Sequence, residues 1–190
     1  MLLLALARQS IAQGMSQGAP LLVEPGTYST QLQLYCGNFV TLTLAGALRG
    51  CIGSLEADRP LLQGIADNAF NAAFRDPRFD ALAPQQLAGV QLEISVLSAP
   101  EPMDVSTESD ALSRIQTGID GLILSVGNRR ATFLPSVWRQ LPDAAEFLNE
   151  LKLKAGLPRD YWSPKVKLQR YRSQSFSEAE FANAEYGSGV

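Results

Sequence analysis

Two alternating segments joined by a two-residue connection constrain this chain most. Phe39 to Leu44 places Val40, Leu42 and Leu44 on one side, and Ala47 to Leu55 follows directly after Ala45-Gly46. A period of two predicts strands, and so short a link predicts an antiparallel hairpin. The second strand carries the run Leu48-Arg49-Gly50-Cys51-Ile52-Gly53-Ser54. Simple alternation sends Leu48 and Ile52 to one face and Arg49 and Cys51 to the other. Glycines inside a strand weaken it and mark a bulge or a close backbone approach. A cation beside a thiol favours the thiolate. The run is therefore the candidate site.

Hydrophobic periodicity organises the rest of the chain. Leu3, Ala7, Ile11 and Met15 form a stripe at helical spacing, predicting a helix over residues 2–17 that ends at Gly18 and Pro20. Leu21 to Leu34 reads as irregular, with a turn at Pro25-Gly26. Pro60 opens a second helix, whose apolar face runs from Leu62 through Phe70 and Ala73, and Asp76-Pro77-Arg78-Phe79 closes it. Gly89 to Leu97 alternates as a strand, Pro100 to Asp104 reads as a loop, and Thr107 caps a short helix. Leu122 to Val126 and Arg130 to Leu134 flank Gly127-Asn128 as a second hairpin. A helix from Pro142-Asp143 to Ala155 then precedes Gly156, a C-terminal cap, and Val166 to Tyr171 reads as a last strand. Hairpins separated by helices, without regular βαβ alternation, predict an α+β fold with antiparallel sheets and packed helices. Residues 1–172 are expected to form the folded part, and the polar tail 173–190 is expected to fray.

Composition removes several chemistries. The 190 residues are 46% hydrophobic and 18% charged, enough to bury a sizeable core. The chain has no histidine, which excludes Ser-His and Cys-His catalysis and every His-ligated metal site. Two cysteines, Cys36 and Cys51, do not make a structural zinc site or an iron–sulfur cluster, so no metal and no cofactor is expected. No apolar run approaches the ~20 residues that span a bilayer. The apolar start has no basic region before it, and Arg8 interrupts it, so no signal peptide is expected. Free thiols then favour a reducing cytoplasm. Residues 139–172 hold eight basic and four acidic residues in a chain of net charge −3. Without interleaved aromatic residues this does not make a nucleic-acid surface and reads as a solvated helix and strand.

Several segments in order resemble one family. They are Leu48 to Leu55, Arg59-Pro60-Leu61, Asp76-Pro77-Arg78-Phe79, Glu93 to Ser98, Gly118-Ile119-Asp120-Gly121-Leu122, Ala131 to Trp138, Phe147-Leu148, Lys154 to Leu157 and Asp160-Tyr161-Trp162. Together they resemble the AMMECR domain family, whose prokaryotic members are called AmmeMemoRadiSam system protein A. The resemblance covers roughly residues 3 to 171. It implies a single AMMECR-type domain of two intertwined subdomains, with the LRGCIGS-type segment near the cleft between them. It also implies an association with a Memo-type protein and a radical-SAM protein as partners. It carries no accepted catalytic residues. Tyr35-Cys36-Gly37-Asn38-Phe39 departs from the family's usual Gly-Ala-Phe run, so Cys36 falls outside any shared site.

Two functional readings follow. In the first, the protein is a binding or adaptor component, and Arg49, Gly50, Cys51, Gly53 and Ser54 form a recognition strand lining a cleft. Arg49 and the glycine amides then meet an anionic ligand. In the second, Cys51 is a nucleophile or redox thiol activated by Arg49, and the general base is a carboxylate, a lysine or a tyrosine. The plainer alternatives are a Cys51 that is a small buried hydrophobe and an Arg49 that pairs with a carboxylate. Trp138 and Trp162 read as core anchors with their indole N–H groups satisfied.

Overall fold

The two-residue link works as a hairpin because both of its residues adopt positive φ. Ala45 has φ 51° and Gly46 φ 79°, the handedness that matches the twist of flanking strands. β1 (Asn38–Leu44) and β2 (Ala47–Ser54) therefore pair antiparallel, with Val40 opposite Ile52 and Thr41 opposite Cys51. The computed structural model describes residues 1–179 apart from Pro25 and Thr27. The turn expected at Pro25 and the tail beyond residue 179 lie outside the described residues.

The chain divides into two compact units. One comprises Met1–Leu97 with residues 174–179, the other residues 98–173. In the first unit, β2, β1, β3 (Val90–Leu97) and β8 (Ser173–Ser177) lie side by side in that order. Val40, Leu42, Leu92 and Ile94 form one buried face of this sheet. Helices α1 (Leu2–Gln17) and α2 (Leu61–Phe74) pack on each other and join that core. α2 is lined with Ala66, Ala69, Ala72 and Ala73, all buried, and these short side chains let its backbone approach β2 closely. α1 approaches α2 at Gly14, where a Cβ would lie 2.6 Å from the rings of Phe70 and Phe74. Buried Ser10 donates to the Ala66 carbonyl at 2.7 Å.

In the second unit, β4 (Glu101–Met103), β7 (Lys167–Tyr171), β5 (Gly121–Val126) and β6 (Arg129–Phe133) form an antiparallel sheet in that order. α3 (Glu108–Arg114) is capped by Thr107, whose hydroxyl accepts from the Asp110 N–H. α4 (Ala144–Lys154) is capped in the same way by Asp143. α4 buries Phe147, Leu148 and Leu151 completely. Trp138 stacks on Phe147 with ring centres 3.7 Å apart and donates its indole N–H to the Asp120 carbonyl at 2.7 Å. It is the core anchor expected of it.

Four expectations change. Leu48 does not share a face with Ile52. The register slips between Leu42, opposite Gly50, and Thr43, opposite Leu48. Arg49 is thus the extra residue of a bulge, and an inserted residue reverses the alternation beyond it. Leu48 joins the side of Cys51 and is exposed. Second, residues 101–103 are a strand and not only loop, because β7 supplies backbone partners that local sequence does not show. Third, Ser173–Ser177, read as the start of a frayed tail, form β8. Glu178 beyond it accepts from Arg8 and from the Leu92 N–H. Fourth, Lys152 is not solvated. It is 1% exposed, bonded to Glu108 at 2.6 Å and to the Arg159 carbonyl. A buried ammonium persists only when paired and hydrogen-bonded in this way.

Two glycine substitutions separate packing from conformation. A Cβ at Gly50 would sit 2.1 Å from the Ala72 carbonyl oxygen, whereas one at Gly46 would meet nothing within 4 Å. Gly50→Ala is expected to cost at least about 1–3 kcal/mol by pushing α2 off the sheet. Gly46→Ala should cost only about 1 kcal/mol, from its left-handed backbone. Urea unfolding of the two variants measures the difference.

Candidate functional site

β2 is an edge strand, and its outward backbone groups need partners from outside the sheet. Cys51 finds them in the segment that follows α2. Its N–H donates to Asp76 Oδ2 at 2.9 Å, and its carbonyl accepts from Arg78 Nη2 at 3.2 Å. Arg78 also closes on Asp76, with Nη2 to Oδ2 at 2.7 Å and Nε to Oδ1 at 2.9 Å. The Arg78 N–H adds a further bond to Asp76 Oδ1. Asp76 is 4% exposed. The guanidinium beside it, helped by the Cys51 and Arg78 amides, holds its carboxyl well below the usual carboxylate range despite burial.

The structure thus gives Cys51 a different arginine from the one expected. Sequence adjacency suggests Arg49, but the guanidinium bonded to Cys51 belongs to Arg78, and it meets the main chain. The Cys51 sulfur accepts a hydrogen bond from the Thr41 hydroxyl at 3.3 Å across the hairpin. The thiol is half-buried and free, as is that of Cys36, which packs against the core.

Arg49 leaves the bulge in another direction. It donates to the Ala81 carbonyl and to Gln86 Oε1, each at 3.3 Å, and lies 6.0 Å from the centre of the Phe79 ring. Arg78 lies 5.4 Å from the same ring. Two guanidiniums therefore approach one aromatic side chain. Arg49, Pro77, Arg78, Phe79, Asp80 and Gln86 line an open groove of about 450 Å³. Arg78 is neutralised by Asp76, whereas Arg49 has no carboxylate partner among the described residues. Its Nη1 is buried and makes no hydrogen bond.

The other residues of the run have steric roles. Gly50 makes room for the Ala72 carbonyl. A Cβ at Gly53 would lie 2.3 Å from the Asn38 carbonyl oxygen and 2.4 Å from the Phe39 ring. The Ser54 hydroxyl accepts from the Glu56 N–H and shapes the turn after β2. Asp76, Arg78, Phe79 and Gln86 were not foreseen as site residues. The signal for three of them was present, since Asp76-Pro77-Arg78-Phe79 is one of the segments carrying the family resemblance.

Asp76 yields a prediction with a defined pH dependence. Its folded-state pKa lies below the unfolded value of about 3.9. Its contribution is therefore complete above about pH 4 and declines as pH falls from there through the folded value. Asp76→Ala should lose about 1–3 kcal/mol at pH 7, the cost of stranding the Cys51 N–H and the Arg78 guanidinium. The gap to wild type should narrow below pH 4, as followed by urea unfolding at a series of pH values.

Comparison with known proteins places this geometry in a family. The AMMECR1 family profile matches residues 4–176. A protein of Methanothermobacter thermautotrophicus is 38% identical over 178 residues, covering 93% of this chain and 92% of its own length. A protein of Methanopyrus kandleri is 35% identical over 187 residues, covering 94% and 87%. The crystal structure of an uncharacterised protein from Pyrococcus horikoshii superposes with a TM-score of 0.82 at 33% identity, covering 93% of this chain and 90% of that one. With the matched span taking in both units and the Arg49–Asp76–Arg78 arrangement, the chain belongs to the AMMECR1 family.

Proposed function

We propose that this protein is a binding module that receives a small anionic ligand, bearing a carboxylate or a phosphate, in the groove over Arg49, Arg78 and Phe79. The observation that carries this reading is the buried, unbonded Nη1 of Arg49. Buried polar groups are nearly always hydrogen-bonded, and leaving one unmet costs about 1–3 kcal/mol. An oxyanion supplies the missing acceptor. A guanidinium presents parallel N–H groups that match such an anion bidentately. The second guanidinium, on the other contact of the Phe79 ring, adds favourable potential without losing its bond to Asp76.

The same geometry weighs against the reading in which Cys51 is a nucleophile. The Thr41 hydroxyl donates to the sulfur, but a nucleophile also needs a group to take its proton. The carboxylate bonded beside it, Asp76, is committed to Arg78 and to two backbone amides. Within this proposal the module works alongside a Memo-type and a radical-SAM protein, as the family resemblance implies. Two free thiols support a reducing compartment, the cytoplasm. Among the described residues no helix is long and apolar enough to cross a membrane.

Calorimetric titration with inorganic phosphate and with citrate tests the groove. Saturable binding of at least one probe is expected at millimolar concentration. Arg49→Ala should weaken it by about tenfold or more, the loss of one charge-assisted hydrogen bond. Arg49→Lys should not restore it, because an ammonium lacks the fork. No binding to wild type, or binding unchanged in Arg49→Ala, overturns the assignment.

A further inference from the structure

A second unsatisfied group lies wholly within the unit formed by residues 98–173. Asp120 is completely buried, yet its Oδ1 makes no hydrogen bond. The residue is held firmly in place. Its other oxygen accepts from the Gln116 N–H at 2.9 Å, and its own N–H donates to the Gln116 carbonyl at 3.0 Å. Its carbonyl accepts from the Trp138 indole. These bonds staple the loop before β5 and account for every polar atom of Asp120 except Oδ1. A loop staple needs one carboxylate oxygen, so the second is surplus to that role, and its burial carries a cost.

The surroundings say what would satisfy it. Asp120 lines a cavity of about 260 Å³ together with Ser98, Glu101, Arg170, Tyr171 and Arg172. That volume falls just under the ~300 Å³ at which pockets for drug-sized ligands begin, so it suits a small metabolite. Arg170 is only loosely engaged, with its Nε 3.7 Å from Glu101, and the Arg172 guanidinium donates one bond, to Gln116 Oε1. Both guanidiniums keep donors to spare. The Tyr171 phenol is already bonded to Thr132 and to the Phe133 carbonyl, so it offers a wall and not a polar contact. Two guanidiniums at the cavity repel a metal cation. Among the described residues no three His, Cys, Asp or Glu side chains assemble to hold one.

We infer that this cavity is a binding site for a small zwitterion of the α-amino acid class. Its ammonium group meets Asp120 Oδ1, and its carboxylate meets Arg170 and Arg172. An ammonium supplies the donor that the buried oxygen lacks. A carboxylate a few bonds away matches the two cations flanking Tyr171 on the chain. A ligand with only one of the two charges satisfies only one side of the cavity. This site shares no residue with the Arg49 groove, and the inference stands independently of it.

The test is calorimetric titration of the full chain with each free L-α-amino acid, and with its N-acetyl and methyl ester derivatives. Saturable binding of at least one amino acid at millimolar concentration is expected, abolished by N-acetylation and strongly weakened by esterification. Asp120→Asn and Arg170→Ala should each weaken binding about tenfold or more. Asp120→Asn can disturb the loop through Gln116. Arg170→Ala changes a side chain outside that staple and decides the matter if Asp120→Asn fails to fold. The inference is overturned if no free amino acid binds saturably. It is equally overturned if the N-acetyl derivative binds as tightly as the parent, or if Arg170→Ala binds like wild type.

Discussion

The Asp76 carboxylate is the contact on which the first unit depends. An edge strand carrying two glycines and a bulge has little to hold it straight, since it has a single neighbour and few side chains to pack. Asp76 compensates by accepting the Cys51 N–H, while Arg78, locked onto Asp76, donates to the Cys51 carbonyl. The end of α2 thereby serves as a surrogate strand for one residue of β2. The carboxylate tolerates burial because a guanidinium and two backbone amides satisfy it, which offsets the desolvation that would otherwise neutralise it.

That clamp and the Gly50 contact act together. Gly50 lets the Ala72 carbonyl approach β2, and Asp76 lies one helical turn further along the chain. Bringing α2 so close delivers the Asp76–Phe79 segment to the edge of the sheet. The bulge at Arg49 turns its side chain toward Ala81 and Gln86, and the Arg49 and Arg78 guanidiniums both come to the Phe79 ring. The groove is thus a consequence of how an unusual strand is held. The residues that permit the packing and the residues that line the groove occupy two short segments.

Much of this was legible in the sequence. The 45–46 hairpin, the four helices and the cap at Thr107 followed from periodicity and local hydrogen-bonding chemistry. The long apolar faces of α1, α2 and α4 left little ambiguity. What was not legible depends on partners distant in the chain. β4 and β8 are short and polar, and they are strands because β7 and β3 offer them backbone partners. The bulge at Arg49 follows from a register with β1 that alternation alone cannot count. Lys152 looked solvated because Glu108 lies far away in sequence. The run from Leu48 to Ser54 stands out in the sequence, but proximity in sequence points Arg49 at Cys51. Tertiary structure sends Arg49 into the groove and brings Arg78 to Cys51 instead.

The most direct measurement is native-state hydrogen exchange at the Cys51 amide. An outward amide on an edge strand normally exchanges freely, whereas one bonded to a buried carboxylate does not. Strong protection is expected in the wild-type protein. In Asp76→Ala that protection should collapse, while amides of β1 between β2 and β3 keep theirs. A Cys51 amide that exchanges freely in the wild type, or that stays protected without the Asp76 carboxylate, would contradict the clamp.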